Sequence, residues 1–180
     1  MSNQEEIAAI VRRRSAWHEA GHAVGAAAVG VDWQFIALLP QGDWAGMTRL
    51  NAAIAQASDP LIMSVIDLAG PLAEAWHEEG VPQPLDAATE HAIDHLSNLV
   101  CDWGDEDGSD AQHVLNRAMS MRRTWRGRDN LIRRWARKTA AAIWPRWADV
   151  QALAERLDRD GFVENSAPTK PANFISAFKG

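Results

Sequence analysis

His18-Glu19-Ala20-Gly21-His22 lies inside a stretch, Glu5 to about Ala28, that is rich in helix formers and free of proline. A helix brings residues i and i+4 to one face, so both imidazoles can address a single ion. Zinc accepts two such nitrogens at about 2.0–2.1 Å and leaves room for a third ligand and a water. Glu19 falls beside the pair, placed to take a proton from a water polarised by the ion and pass it to a leaving amine. Ala23, Val24, Ala26 and Ala27 read as buried helix, and buried histidines need partners, which a metal supplies. Gly21 and Gly25 weaken the helix by about 1 kcal/mol each. Gly30 suits its C-cap.

Beyond this helix the pattern changes. Trp33 to Leu39 reads as a strand closed by Pro40, Gln41-Gly42-Asp43 as a turn, and Ala45 to Leu50 as the partner strand of a hairpin. Asp59-Pro60 reads as an N-cap with proline at the first helical position. The helix it opens carries an apolar stripe from Leu61 to Trp76 and stops near Gly80. Further helices are expected over Asp86 to Cys101, from Ser109 or Asp110 through Met119, over Asn130 to Ile143, and from Pro145 to about Asp158. The expectation is a mainly α fold: one domain over residues 1–163, with a small β-hairpin after the metal-binding helix, and a polar tail over 164–180.

Composition narrows the function classes. One cysteine, Cys101, in 180 residues excludes a disulfide framework and a cysteine-type zinc finger, and points to a reduced, cytoplasmic setting. No apolar run reaches the roughly 18 residues of a membrane span, and the N-terminus lacks the apolar core of a secretory signal. The phosphate loop ending in Gly-Lys-Ser/Thr is absent, so no ATPase of that class is expected. The net charge of −6 is uneven: Asn51 to Asn116 holds 13 Asp or Glu and no Lys or Arg, whereas Arg117 to Arg146 holds 10 Lys or Arg and one acid, Asp129. A basic helical stretch folding near an acidic half accounts for this better than a nucleic-acid surface does.

Trp17-His18-Glu19-Ala20-Gly21-His22-Ala23-Val24 resembles the zinc-binding helix of the FtsH-type ATP-dependent metalloproteases. The similarity continues in order through Ile36 to Gly42 and Ala45-Gly46-Met47-Thr48, which resemble that family's hairpin with its Gly-x-Thr. Leu68 to Glu74 resembles its Leu-Ala-Gly-Arg-x-Ala-Glu helix, with Pro71 where arginine is usual. Gly108-Ser109-Asp110, followed by Ala118, resembles its Gly-Ala-Ser-Asn-Asp segment, one residue shorter, and Val150 to Leu157 its C-terminal helix. The resemblance implies a helical, zincin-like peptidase domain with Asp110 as third zinc ligand. Asp107, in the same loop, and Glu74 are the alternatives. Glu74 is read as a carboxylate orienting an imidazole N–H, and Asp67, seven residues earlier on the same face, as structural. A second pair at helical spacing, His91 and His95, is read as surface, and His77 and His113 as surface or near the site.

The resulting expectation is a zinc metallopeptidase with metal ligands His18, His22 and Asp110 and Glu19 as catalytic base. Its substrate is an unfolded or flexible polypeptide, paired with the hairpin strand Ala45 to Leu50 by strand addition. The family's ATPase module and membrane anchor are not in this chain, which leaves a partner ATPase in trans and a homo-oligomer open. The rival from another class is a catalytically silent helical interaction module with a structural zinc site. A base at Glu19 argues against it, because a structural site needs ligands only.

Overall fold

The computed structural model describes residues 3–41, 44–51, 59–80 and 109–166. The described part is mainly helical with a small three-stranded antiparallel sheet. Its elements are α1 (Asn3–Ala28), β1 (Trp33–Gln41), β2 (Trp44–Leu50), α2 (Pro60–Glu78), α3 (Asp110–Met121), α4 (Trp125–Ile143), a 3₁₀ turn (Trp144–Arg146), α5 (Trp147–Asp160) and β3 (Phe162–Glu164). The expected helix over Asp86 to Cys101, and with it His91, His95, Asp105 and Asp107, lies outside the described residues.

α1 organises the rest. Residues 3–14 are exposed, and from Ala16 onward nearly every position is buried. It packs on α2, α4, α5 and both hairpin strands. The two glycines that cost the helix propensity make the closest of these approaches possible. A Cβ on Gly21 would stand under 3.0 Å from the Ala69 carbonyl oxygen and Ala73 Cβ, and one on Gly25 2.5 Å from Ala69 Cβ. Backbone therefore meets backbone where α1 crosses α2. Trp76, Trp135, Leu68, Leu72 and Ile132 fill the main core beside that crossing. Trp17 stacks between His77, at 4.1 Å, and Trp147, at 5.3 Å.

Local signals fix the helix starts. Asp59 accepts a hydrogen bond from the Leu61 N–H at 2.8 Å, with Pro60 following as expected. Ser109, not Asp110, caps α3, accepting from the Gln112 N–H at 3.1 Å. α4 begins at Trp125, five residues before the expected Asn130, because the Thr124 side chain caps it through the Gly127 N–H.

The sheet order is β2-β1-β3, with both pairs antiparallel. β1 continues past Leu39 to Gln41. Between the pairs Leu38–Gly46 and Gln41–Trp44 it holds one residue more than β2, and such a bulge accommodates proline in a strand. β3 has no counterpart in the sequence reading. At three residues it is too short for an alternation signal. Gly161, at φ 74°, closes α5 and turns the chain into it. Glu164 and Asn165, expected at the start of the tail, are tied in: Glu164 pairs with Phe35, and the Asn165 N–H donates to the Gln34 carbonyl at 2.9 Å. Among the described residues no helix is long and apolar enough to cross a membrane.

Candidate metal centre

Two elements deliver three side chains to the same point. α1 brings His18 and His22, whose rings meet edge to face at 4.7 Å. α3 brings Asp110, its first residue. His18 Nε2 and His22 Nε2 are 3.0 Å apart, and Asp110 Oδ2 is 3.0 Å from the first and 3.1 Å from the second.

The outer nitrogens define what this triangle is. His22 Nδ1 lies 2.7 Å from the Ile66 carbonyl oxygen. A carbonyl only accepts, so that nitrogen carries a hydrogen and donates. His18 Nδ1 lies 3.1 Å from Glu74 Oε2. Burial opposes charge on Glu74, but His18 and Arg14 outweigh it and hold the carboxyl below its usual range, so it accepts from His18. In the neutral tautomers both Nε2 lone pairs and a carboxylate oxygen then face one another at 3.0–3.1 Å. Such an arrangement can accommodate a cation at its centre. A tetrahedral zinc with bonds of about 2.0–2.1 Å spaces its ligand atoms by about 3.3–3.4 Å, so a few tenths of an ångström of outward movement admits it. The donor set fits zinc.

Without a metal, protons fill this role. Burial works against charge on His22, but Asp110 and Glu19 outweigh it and raise the imidazole to about 10. Burial likewise opposes charge on Asp110, but His22 and His18 outweigh it and hold the carboxyl well below the usual carboxylate range.

α2 supplies the wall behind the histidines. Gly70 faces the His22 ring, and a Cβ there would fall under 3.0 Å from three ring atoms. Glu74 orients His18 and is in turn held by Arg14, which also reaches Glu78 at 2.7 Å. Asp67 is paired with Arg117 of α3, so the basic run reaches into the acidic half here. Asp67, Asp110 and His113 form a second grouping of potential ligand atoms, but Arg117 already balances the Asp67 carboxylate.

The fourth wall is β2. Glu19, 7% exposed, receives the Thr48 hydroxyl at its Oε2, 2.6 Å away. A Cβ on Gly46 would stand 2.5 Å from Glu19 Oε1. A cleft of about 990 Å³ opens over the histidines, Glu19 and Asp110, with β2 along one side and Arg14, His113 and Arg117 on its lining.

The structure thus brings His18, Glu19, His22 and Asp110 to one cleft. Glu74 stands behind His18, on the nitrogen that faces away from the triangle. Four contributors escaped the sequence reading as site residues: Arg14, Gly46, Thr48 and Gly70. The first had a signal, standing four residues before His18 and so on its face of α1. Gly46 and Thr48 had the alternation of a strand, which puts both on one side. No protein-family model and no curated protein matches the chain.

Proposed function

We propose that this chain is a zinc metallopeptidase that hydrolyses peptide bonds in unfolded or flexible polypeptides, with His18, His22 and Asp110 holding the ion and Glu19 as general base. The observation that carries the reading is the convergence of His18 Nε2, His22 Nε2 and the Asp110 oxygen at 3.0–3.1 Å, with both Nδ1–H groups bonded outward. A bound zinc would polarise the scissile carbonyl and acidify the attacking water.

The protein's own residues divide the remaining work. Glu19 lies against the histidine helix on the cleft side, with Oε2 engaged by Thr48; it accepts the water's proton and returns it to the leaving amine. Glu74 and the Ile66 carbonyl fix the imidazole tautomers, leaving Nε2 free to ligate. β2 is an outer strand of the sheet, and among the described residues nothing pairs with its far edge. An extended peptide can add there beside the cleft. A folded protein must first unfold locally to offer such a segment, which is where an ATPase partner in trans would contribute.

The test compares cleavage of a denatured, casein-like substrate and of a stable folded domain, without ATP, with and without chelator. Chelator-sensitive cleavage of the unfolded substrate alone is expected. Rapid degradation of the folded domain without ATP would contradict the substrate class. Zinc-loaded protein inactive on every substrate would favour the structural-zinc interaction module.

A further inference from the structure

We infer that Thr48 is the positioning residue for the general base, and that β2 thereby ties the placement of Glu19 to the strand edge that receives the peptide. The inference rests on the peptidase reading above and adds to it how the base is held.

Glu19 is clamped from two alternate positions of one strand. Along β2, Gly46, Thr48 and Leu50 are partly buried while Met47 and Arg49 are exposed. Gly46 and Thr48 therefore share the inner face, against α1. The Thr48 hydroxyl has one proton and two acceptors in reach: the Glu19 carbonyl oxygen at 3.1 Å and Oε2 at 2.6 Å. The shorter distance makes Oε2 the principal acceptor. Gly46 adds the steric half of the clamp, since a Cβ there would overlap Glu19 Cγ and Oε1, each 2.5 Å away.

This has a chemical consequence. With one Oε2 lone pair engaged by Thr48, Oε1 keeps both of its own for the attacking water. A glutamate side chain has three rotatable bonds; Gly46 limits where its end can go, and the Thr48 hydroxyl supplies the directional bond that sets the terminal torsion. The clamp belongs to the strand whose outer edge pairs with substrate. A peptide registered on that edge is registered against the same backbone that sets the base.

Thr48→Val removes the donor at nearly constant volume, and Thr48→Ser restores it. Each is measured for zinc content, for hydrolysis of an unfolded peptide, and for binding of a peptide hydroxamate, which reads the metal and the base together without turnover. Thr48→Val is expected to keep its zinc and KM, to lose about 10²-fold in kcat as a misplaced base does, and to bind the hydroxamate more weakly. Thr48→Ser is expected to recover most of both losses. Gly46→Ala should reproduce the Thr48→Val pattern. Wild-type kcat in Thr48→Val beside an inactive Glu19→Gln would overturn this inference while leaving the peptidase reading intact. Equal losses in Thr48→Val and Thr48→Ser, accompanied by lost zinc, would overturn it in favour of a purely structural hydroxyl. A Glu19→Gln variant as active as wild type would remove the peptidase reading and this inference together.

Discussion

Gly70 of α2 lies against the imidazole of His22 with no room for a side chain: a Cβ there would come under 3.0 Å from Nε2, Cε1 and Cδ2. The ring cannot retreat, because its Nδ1–H is bonded to the Ile66 carbonyl on the same helix. Gly70→Ala should therefore move the ligand itself. Zinc affinity is expected to fall by about 10–100-fold, the range seen when a ligand's support is disturbed. Competition against a chelator of known strength measures it. Unchanged affinity would mean that α2 yields and the ring does not depend on it.

Glu74 acts on His18 through charge as well as direction. Glu74→Gln keeps the shape but removes the anion that accepts from Nδ1 and pairs with Arg14. A loss of about 10-fold or more in zinc affinity is expected. Arg14→Ala should cost less, because among the described residues Arg14 reaches His18 through Glu74, and its exposed guanidinium is screened by solvent. A larger effect from Arg14 than from Glu74 would contradict this order.

Zinc uptake should release protons. In chelator-stripped protein His22 titrates near 10, against an ordinary 6.5, so at pH 7 it carries a proton that a ligating nitrogen cannot keep. Calorimetry in two buffers of different ionisation enthalpy should show about one or more protons released per zinc. The same shifts set the stability of the stripped protein. The raised His22 contributes fully below about 6.5, and that contribution is lost as pH rises toward 10. The lowered Asp110 contributes above about 3.8, and that is lost as pH falls. Metal-free protein should thus be most stable between about pH 4 and 6.5, and buffer-independent heats of zinc binding would refute the charged His22.

Arg117 is a structural cation. It pairs with Asp67, whose carboxyl burial pushes upward more strongly than Arg117 holds it down. Arg117→Met should leave a buried carboxylate unpaired and destabilise the fold by about 3 kcal/mol, the lower end for breaking a buried pair. Adding Asp67→Asn should recover part of that loss in denaturant titrations. Loss of nucleic-acid binding as the main effect of Arg117→Met would instead revive the basic run as a binding surface.

The features legible in the sequence are those written in short spacing. His18 and His22 needed only the helical period, and Asp59-Pro60 announced α2 through capping chemistry. The hairpin followed from the apolar run Trp33 to Leu39, closed by Pro40, and the turn residues after it. What spacing could not supply was direction across the chain. Asp110 stands 88 residues from His22, and nothing local distinguishes a ligand there from a helix cap; in the structure Ser109 takes the cap and frees the Asp110 side chain. Gly21 and Gly25 read locally as propensity losses, because the helix backbone they admit comes from elsewhere in the chain, and nothing local to Gly70 announces the ring it admits. β3 was invisible because its three residues acquire strand geometry only by pairing with β1.

The most direct test of the account is zinc per chain, measured by elemental analysis on wild type and four variants purified alike. One zinc is expected in wild type and in Glu19→Gln, where the base is altered and the ligands are not. Loss of zinc is expected in His18→Ala and His22→Ala, and weakened retention in Asp110→Ala. Full occupancy in both histidine variants, or loss of zinc on Glu19→Gln alone, would contradict the assignment of these residues.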